Sequence, residues 1–134
     1  MKRATKCLLP AVALALTLLP GASQADEVGE TAYMQYCATC HGVEGDGLGP
    51  LAEMITEKVP GLRGLSAAND GEFPMLQVIH IIDGRTGLRG HGGPMPVYGA
   101  LFDVEGSFAG EYGAPVYTRG KMLSLAMYLE GIQN

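Results

Sequence analysis

The residues best able to do chemistry stand together in one pentapeptide, Cys37-Ala38-Thr39-Cys40-His41. Two thiols three positions apart project from one turn of a helix, so they can act as a pair. Such a pair can close a disulfide or work as a redox dithiol. It can supply half of a zinc site, but a tetrahedral site needs two more ligands, for which His80 and His91 are at hand. It can also add across the two vinyl groups of haem, giving thioethers that do not dissociate. The adjoining histidine decides in favour of the last, because it brings an imidazole to the iron of a haem so attached; Cys-x-x-Cys-His is the pattern of that attachment. The expected cofactor is one covalent haem c, bound through Cys37 and Cys40, with His41 as an iron ligand.

A second axial ligand must come from elsewhere. The candidates are Met34, Met54, Met75, Met95, Met122 and Met127, with His80 and His91. Met95 stands apart, between Pro94 and Pro96 in a glycine-rich loop 54 residues after His41. No helix face claims it, whereas Met34, Met75 and Met127 have core-packing reasons to be where they are. Met95 is therefore the expected sixth ligand, and His/Met ligation raises the reduction potential. His91 is the alternative and would give bis-histidine iron; the blander reading leaves it exposed or facing a propionate. His80 falls on the outer face of its helix. Arg85 and Arg89 precede the ligand loop and could pair with propionates or remain solvated. Tyr98 could bond a propionate or fill the pocket wall.

The start of the chain reads as an export leader rather than as fold. Lys2, Arg3 and Lys6 precede an apolar run from Leu8 to Leu19, followed by Ser23-Gln24-Ala25 and then Asp26-Glu27. The run is short of the roughly 20 residues that span a bilayer, so a signal peptide over 1–25 is expected ahead of one domain over 26–134, with a retained anchor as the alternative. Cys7 would leave with the leader. All 14 acidic residues lie after it, against six basic ones, a net charge of −8. That balance argues against nucleic acid and anionic lipid and favours a partner with a basic patch. The location implied is periplasmic, with no membrane span after cleavage.

The pattern of the remaining chain is all-α: three or four helices separated by glycine-rich loops. Asp26 to His41 reads as the first helix. Gly42 to Pro50 carries four glycines and cannot be regular helix. Leu51 to Lys58 predicts one or two helical turns, and Leu62 to Gly71 a loop with Asn69 or Asp70 available as a cap. Phe73 to Asp83 predicts a helix with Met75, Val78, Ile79 and Ile82 on one face, ended by Gly84. Val97 to Thr118 mixes glycines and Pro115 with aromatics and acids, and predicts a long surface loop with at most one helical turn. Lys121 to Gln133 predicts a helix striped by Leu125, Tyr128, Leu129 and Ile132.

In these residues the chain resembles a class I c-type cytochrome. Gly29 and Tyr33 stand eight and four residues before Cys37, as on that family's first helix, and the resemblance implies packing against an aromatic on the last helix, here Tyr128, with Leu125 nearby. Pro94-Met95-Pro96 is similar to the family's ligand loop. The resemblance also implies that the carbonyl of Pro50 accepts the free ring nitrogen of His41. It implies a single-electron carrier needing no catalytic side chain. An electron-accepting subunit or dedicated partner of a periplasmic dehydrogenase is the nearest alternative, and a gas-binding haem protein or a haem-free thiol oxidoreductase are the others. The departure is the long stretch Val97 to Arg119, whose Asp103, Glu105 and Glu111 would form a docking surface for a basic redox partner.

Overall fold

The computed structural model describes residues 24–85 and 95–134. The leader up to residue 23, and Arg89, His91 and the Gly92-Gly93-Pro94 approach to Met95, lie outside the described residues. Helix α1 spans Gln24–Tyr36, and a single turn α2 spans Ala38–His41. Helix α3 spans Met75–Asp83, α4 Tyr98–Gly106 and α5 Gly110–Gly131. Short 3-10 turns occupy Ala52–Met54, Ala67–Asn69 and Ser107–Ala109. No strand occurs among the described residues. The fold is all-α, as the sequence pattern predicts.

The frame is the pair α1 and α5. A Cβ on Gly29 would collide with the Ser124 carbonyl oxygen and stand 2.8 Å from the Tyr128 Cβ, so only glycine lets the two backbones come this close. One turn further along, the rings of Tyr33 and Tyr128 meet with centroids 5.2 Å apart. Tyr33 is completely buried, and its hydroxyl donates to the Gly42 carbonyl at 2.6 Å. Burial pushes the Tyr33 phenol well above its ordinary value, so it stays a donor. Leu125, Ala126 and Leu129 complete the buried stripe of α5.

The stretch after Met95 corrects the expectation of a surface loop. Residues 98–106 are helix, and α5 begins at Gly110, eleven residues before the predicted start at Lys121. Gly110, Gly113 and Pro115 are poor helix formers, and Pro115 removes the hydrogen bond that the Glu111 carbonyl would accept. Packing overrides those preferences: Phe102 is fully buried, as are Thr118 and Met122 on α5. At Gly106 a Cβ would lie 2.8 Å from the Tyr117 ring and 3.2 Å from the Ala114 carbonyl, so a second glycine closes the α4–α5 hairpin.

Helix α3 buries Val78 and Ile82 and ends at Gly84 in the left-handed conformation, whose N–H reaches the His80 carbonyl. The predicted face is the observed one, and His80 is exposed. Met34 departs from its expected place: it is 40% exposed on α1, while Met122 is the methionine sealed in the core.

Candidate functional site

The chain breaks between α1 and α2 at Cys37, then winds one turn so that the Cys40 and His41 N–H groups both return to the Cys37 carbonyl, at 3.1 and 2.8 Å. Both cysteines are free thiols, half-buried. Burial, aided by the nearness of Cys40, pushes the Cys37 thiol up to about 12. A redox dithiol works through a thiol made acidic enough to be a thiolate; burial tunes this thiol the other way.

The glycine loop after His41 explains how the histidine is held. Gly42, Gly45 and Gly47 have φ of 83, 70 and 83°, a conformation side-chain-bearing residues rarely adopt. Their turns lay the loop back along α2: Gly47 N–H donates to the His41 carbonyl (2.7 Å), Gly49 N–H to Cys40 (3.1 Å) and Leu51 N–H to Thr39 (2.9 Å). A Cβ on Gly47 would meet Val59, Pro60 and Gly61, so the next segment rests directly on this loop. It brings the Pro60 carbonyl within 3.0 Å of His41 Nδ1. The accepting carbonyl is therefore Pro60's and not Pro50's. Pro50 is exposed, at the point where the chain leaves the loop for the turn after it. Since a carbonyl oxygen only accepts, Nδ1 carries the hydrogen and Nε2 keeps a free lone pair. His41 is 9% exposed.

The surroundings suit a flat apolar group. Leu62, Leu65, Phe73, Met75, Ile79 and Met95 all pack on the core yet remain only partly buried. Two free thiols, a histidine with one committed and one free nitrogen, and this half-covered apolar surface fit the residues' expected role toward haem. Met95 differs from Met122, which the core seals, and from Met54, which is 78% exposed on a turn.

The cytochrome c family model matches residues 27–105, more than half of the chain. The chain belongs to the cytochrome c family. No curated protein and no solved structure matches it. As a cytochrome c it is a haem-binding electron-transfer protein that works with redox partners, and it carries haem c covalently through Cys37 and Cys40. The match ends at Glu105, so α5, with Tyr128, lies beyond it. No helix among the described residues is long and apolar enough to cross a membrane.

Two expected neighbours of the haem have other partners in this cytochrome. Arg85 donates from Nε to Asp83 at 2.5 Å, from Nη2 to Asp83 at 3.0 Å and from Nη1 to Asp103. Its guanidinium is turned to these carboxylates rather than held free for a propionate. The Asp83 carboxyl lies below its usual range because of the Arg85 hydrogen bonds. Gly99, at the start of α4, leaves room for the pair: a Cβ there would lie 2.6 Å from Arg85 Nε. Tyr98 is buried, and its hydroxyl donates to the Tyr36 carbonyl at 2.6 Å, so it lines the wall beside Cys37.

A cluster that the sequence did not reveal joins α1, α4 and α5. Lys121 Nζ donates to Glu105 at 2.5 Å and to the Tyr36 hydroxyl at 3.2 Å, and lies 4.6 and 4.7 Å from the Tyr36 and Phe102 ring centroids. The Tyr36 hydroxyl donates to Glu105 at 2.5 Å. Residues 36, 105 and 121 are too far apart in sequence for periodicity to link them. With Asp103 bonded to Arg85 and Glu105 to Lys121, only Glu111 of the three expected docking acids has no cationic partner among the described residues.

Proposed function

We propose that this cytochrome c is a periplasmic single-electron carrier in which His41 and Met95 are the axial ligands of one haem. The carrying observation is the hydrogen bond between His41 Nδ1 and the Pro60 carbonyl, which leaves Nε2 as the donor nitrogen beside two free thiols. That bond also orients the ring and raises its basicity, the usual service of an outer partner to a metal-bound histidine. The haem supplies a one-electron iron couple; the protein's part is to hold both ligands unchanged, so that reorganisation stays small. Met95, half-buried on the core and followed at once by Pro96, supplies a thioether on a stiff segment. The leader 1–25 accounts for export to the compartment where haem is attached.

The test is an absorption spectrum of protein exported from a host with haem-attachment machinery. A near-infrared band from methionine sulfur bonded to ferric iron is expected, and its loss in Met95→Ala. A high-spin ferric spectrum in the unmodified protein would exclude the carrier and favour a gas-binding site.

A second reading, service as a dedicated partner or subunit of an exported dehydrogenase, draws on one observation. Val104, Phe108, Tyr112 and Val116 on the α4–α5 hairpin are each at least 70% exposed, and on this reading they make up the apolar part of the contact with the enzyme. Co-purification of one stoichiometric enzyme with the tagged protein is the expected result on that reading, and unaided exchange with several carriers the opposite.

A further inference from the structure

Tyr36 occupies an unusual position: the last residue of α1, it directly precedes Cys37 and touches both ends of α4. Its carbonyl accepts from Tyr98, the first residue of α4, at 2.6 Å. Its hydroxyl donates to Glu105, next to the last residue of α4, at 2.5 Å. These attachments are seven residues apart, roughly 10 Å along a helix axis. Its ring meets Tyr98 and Phe102 of the same helix edge-on, with centroids 5.9 and 5.4 Å away. Lys121 of α5 closes the arrangement by neutralising Glu105.

Helix α4 begins three residues after Met95. The connection is Pro96-Val97; Pro96 fixes its own φ and restricts the backbone of the residue before it, which is Met95. A shift of the first turn of α4 is therefore passed to Met95 rather than absorbed between them. We infer that Tyr36 is a positioning residue for the sixth ligand: it straps α4 to the haem-attachment turn and so holds the Met95 thioether in reach of the iron. The inference rests on the assignment of Met95 as that ligand.

A loosened strap lowers the fraction of molecules whose Met95 is in place. An exogenous ligand competing for the same iron position then binds more tightly in apparent terms, in proportion to the fraction of molecules in which Met95 is displaced. The experiment titrates the ferric holoprotein with imidazole, following loss of the near-infrared methionine band, for the unmodified protein, Tyr36→Phe, Tyr98→Phe and the double variant. Both replacements keep the rings; Tyr36→Phe removes the hydroxyl's bonds with Glu105 and Lys121, and Tyr98→Phe removes the bond to the Tyr36 carbonyl. Each single variant is expected to bind imidazole at least about tenfold more tightly, since each loses at least one good hydrogen bond, and the double variant more tightly still, with a lowered reduction potential.

Gln133→Ala is the control for mere destabilisation. It removes the bonds that Gln133 makes to the Leu62 and Leu129 carbonyls and the Ser66 N–H, away from α4. Unchanged imidazole affinity in Tyr36→Phe, or an equal gain in Gln133→Ala, overturns the strap. A band that persists in Met95→Ala removes the ligand assignment itself, an outcome visible before any strap variant is read.

Discussion

Helix α5 packs against α1 at Gly29 and against α4 at Gly106, and at both places a glycine allows an approach that a Cβ would obstruct. The two contacts are otherwise held by different means. Against α1 the partners are Tyr33 and Tyr128, with a neutral hydroxyl bonded to a backbone carbonyl. Against α4 they are Lys121 and Glu105, a cation and an anion set among the rings of Tyr36, Phe102 and Tyr117. The first contact is indifferent to proton concentration over the range in which proteins work. The second depends on two charges, and it carries the helix next to Met95.

The largest expected effect separates the two glycines. At Gly29 the obstacle is the Ser124 carbonyl, part of a helix backbone that cannot move aside. Gly29→Ala should cost about 3 kcal/mol in chemical denaturation of the holoprotein, the upper end of overpacking penalties. At Gly106 the nearest atom belongs to the Tyr117 ring, which is only partly buried and can swing away. Alanine also gains part of the helix propensity, about 1 kcal/mol in a helix interior, at this last position of α4, so Gly106→Ala should lie within about 1 kcal/mol of the unmodified protein. Equal penalties would mean that α4 is as rigidly seated as α1.

Next in size is Lys121→Met. Methionine keeps much of the stem that packs on the rings, but leaves the half-buried Glu105 with Tyr36 alone. A loss of about 2 kcal/mol is expected, and Glu105→Gln added to Lys121→Met should recover part of it, because no unpaired charge then remains. If the double variant is simply additive, the ion pair is not what joins α4 to α5.

The same pair makes the two contacts respond differently to pH. Burial alone would raise the Glu105 carboxyl; the bonds from Lys121 and Tyr36 outweigh it and hold the group below the usual carboxylate value. The folded protein thus binds fewer protons there than the unfolded chain. The stabilisation is complete above the usual carboxylate range, around pH 4, and is lost as pH falls through and below it. Lys121 mirrors this: burial would lower it, the Glu105 bond raises it more, and its contribution is complete below the usual lysine value and lost as pH rises beyond. Hydrogen exchange at acid pH should show α4 amides losing protection before those of α1. Simultaneous loss would show that α4 has no weaker attachment than the rest.

How far these regions could be read in advance follows from what holds them. Cys37, Cys40 and His41 stand within one pentapeptide, so the attachment site was legible from the residues themselves, whereas the frame of Gly29, Tyr33 and Tyr128 was legible from the resemblance to class I c-type cytochromes. The α4–α5 hairpin was not, because Gly110, Gly113 and Pro115 argue locally for a loop and only the burial of Phe102, Thr118 and Met122 makes helix the better choice. Pro60 escaped for a related reason. Its carbonyl reaches His41 by resting on Gly47, a contact between loops for which sequence has no periodic signal.

The smallest expected effect probes the interior of the hairpin. Thr118 is 1% exposed, and its hydroxyl has no hydrogen-bond partner among the described residues. A buried hydroxyl that makes no bond forfeits its hydration without return. Valine has the same branched shape without the polar atom, so Thr118→Val should stabilise the holoprotein by up to about 1 kcal/mol. A loss of similar size would mean that the hydroxyl is bonded in the loaded protein, by water or by the haem itself. Were that partner the haem, the α4–α5 contact would be joined to the cofactor from within, and the contrast with the neutral, self-contained α1–α5 contact would deepen.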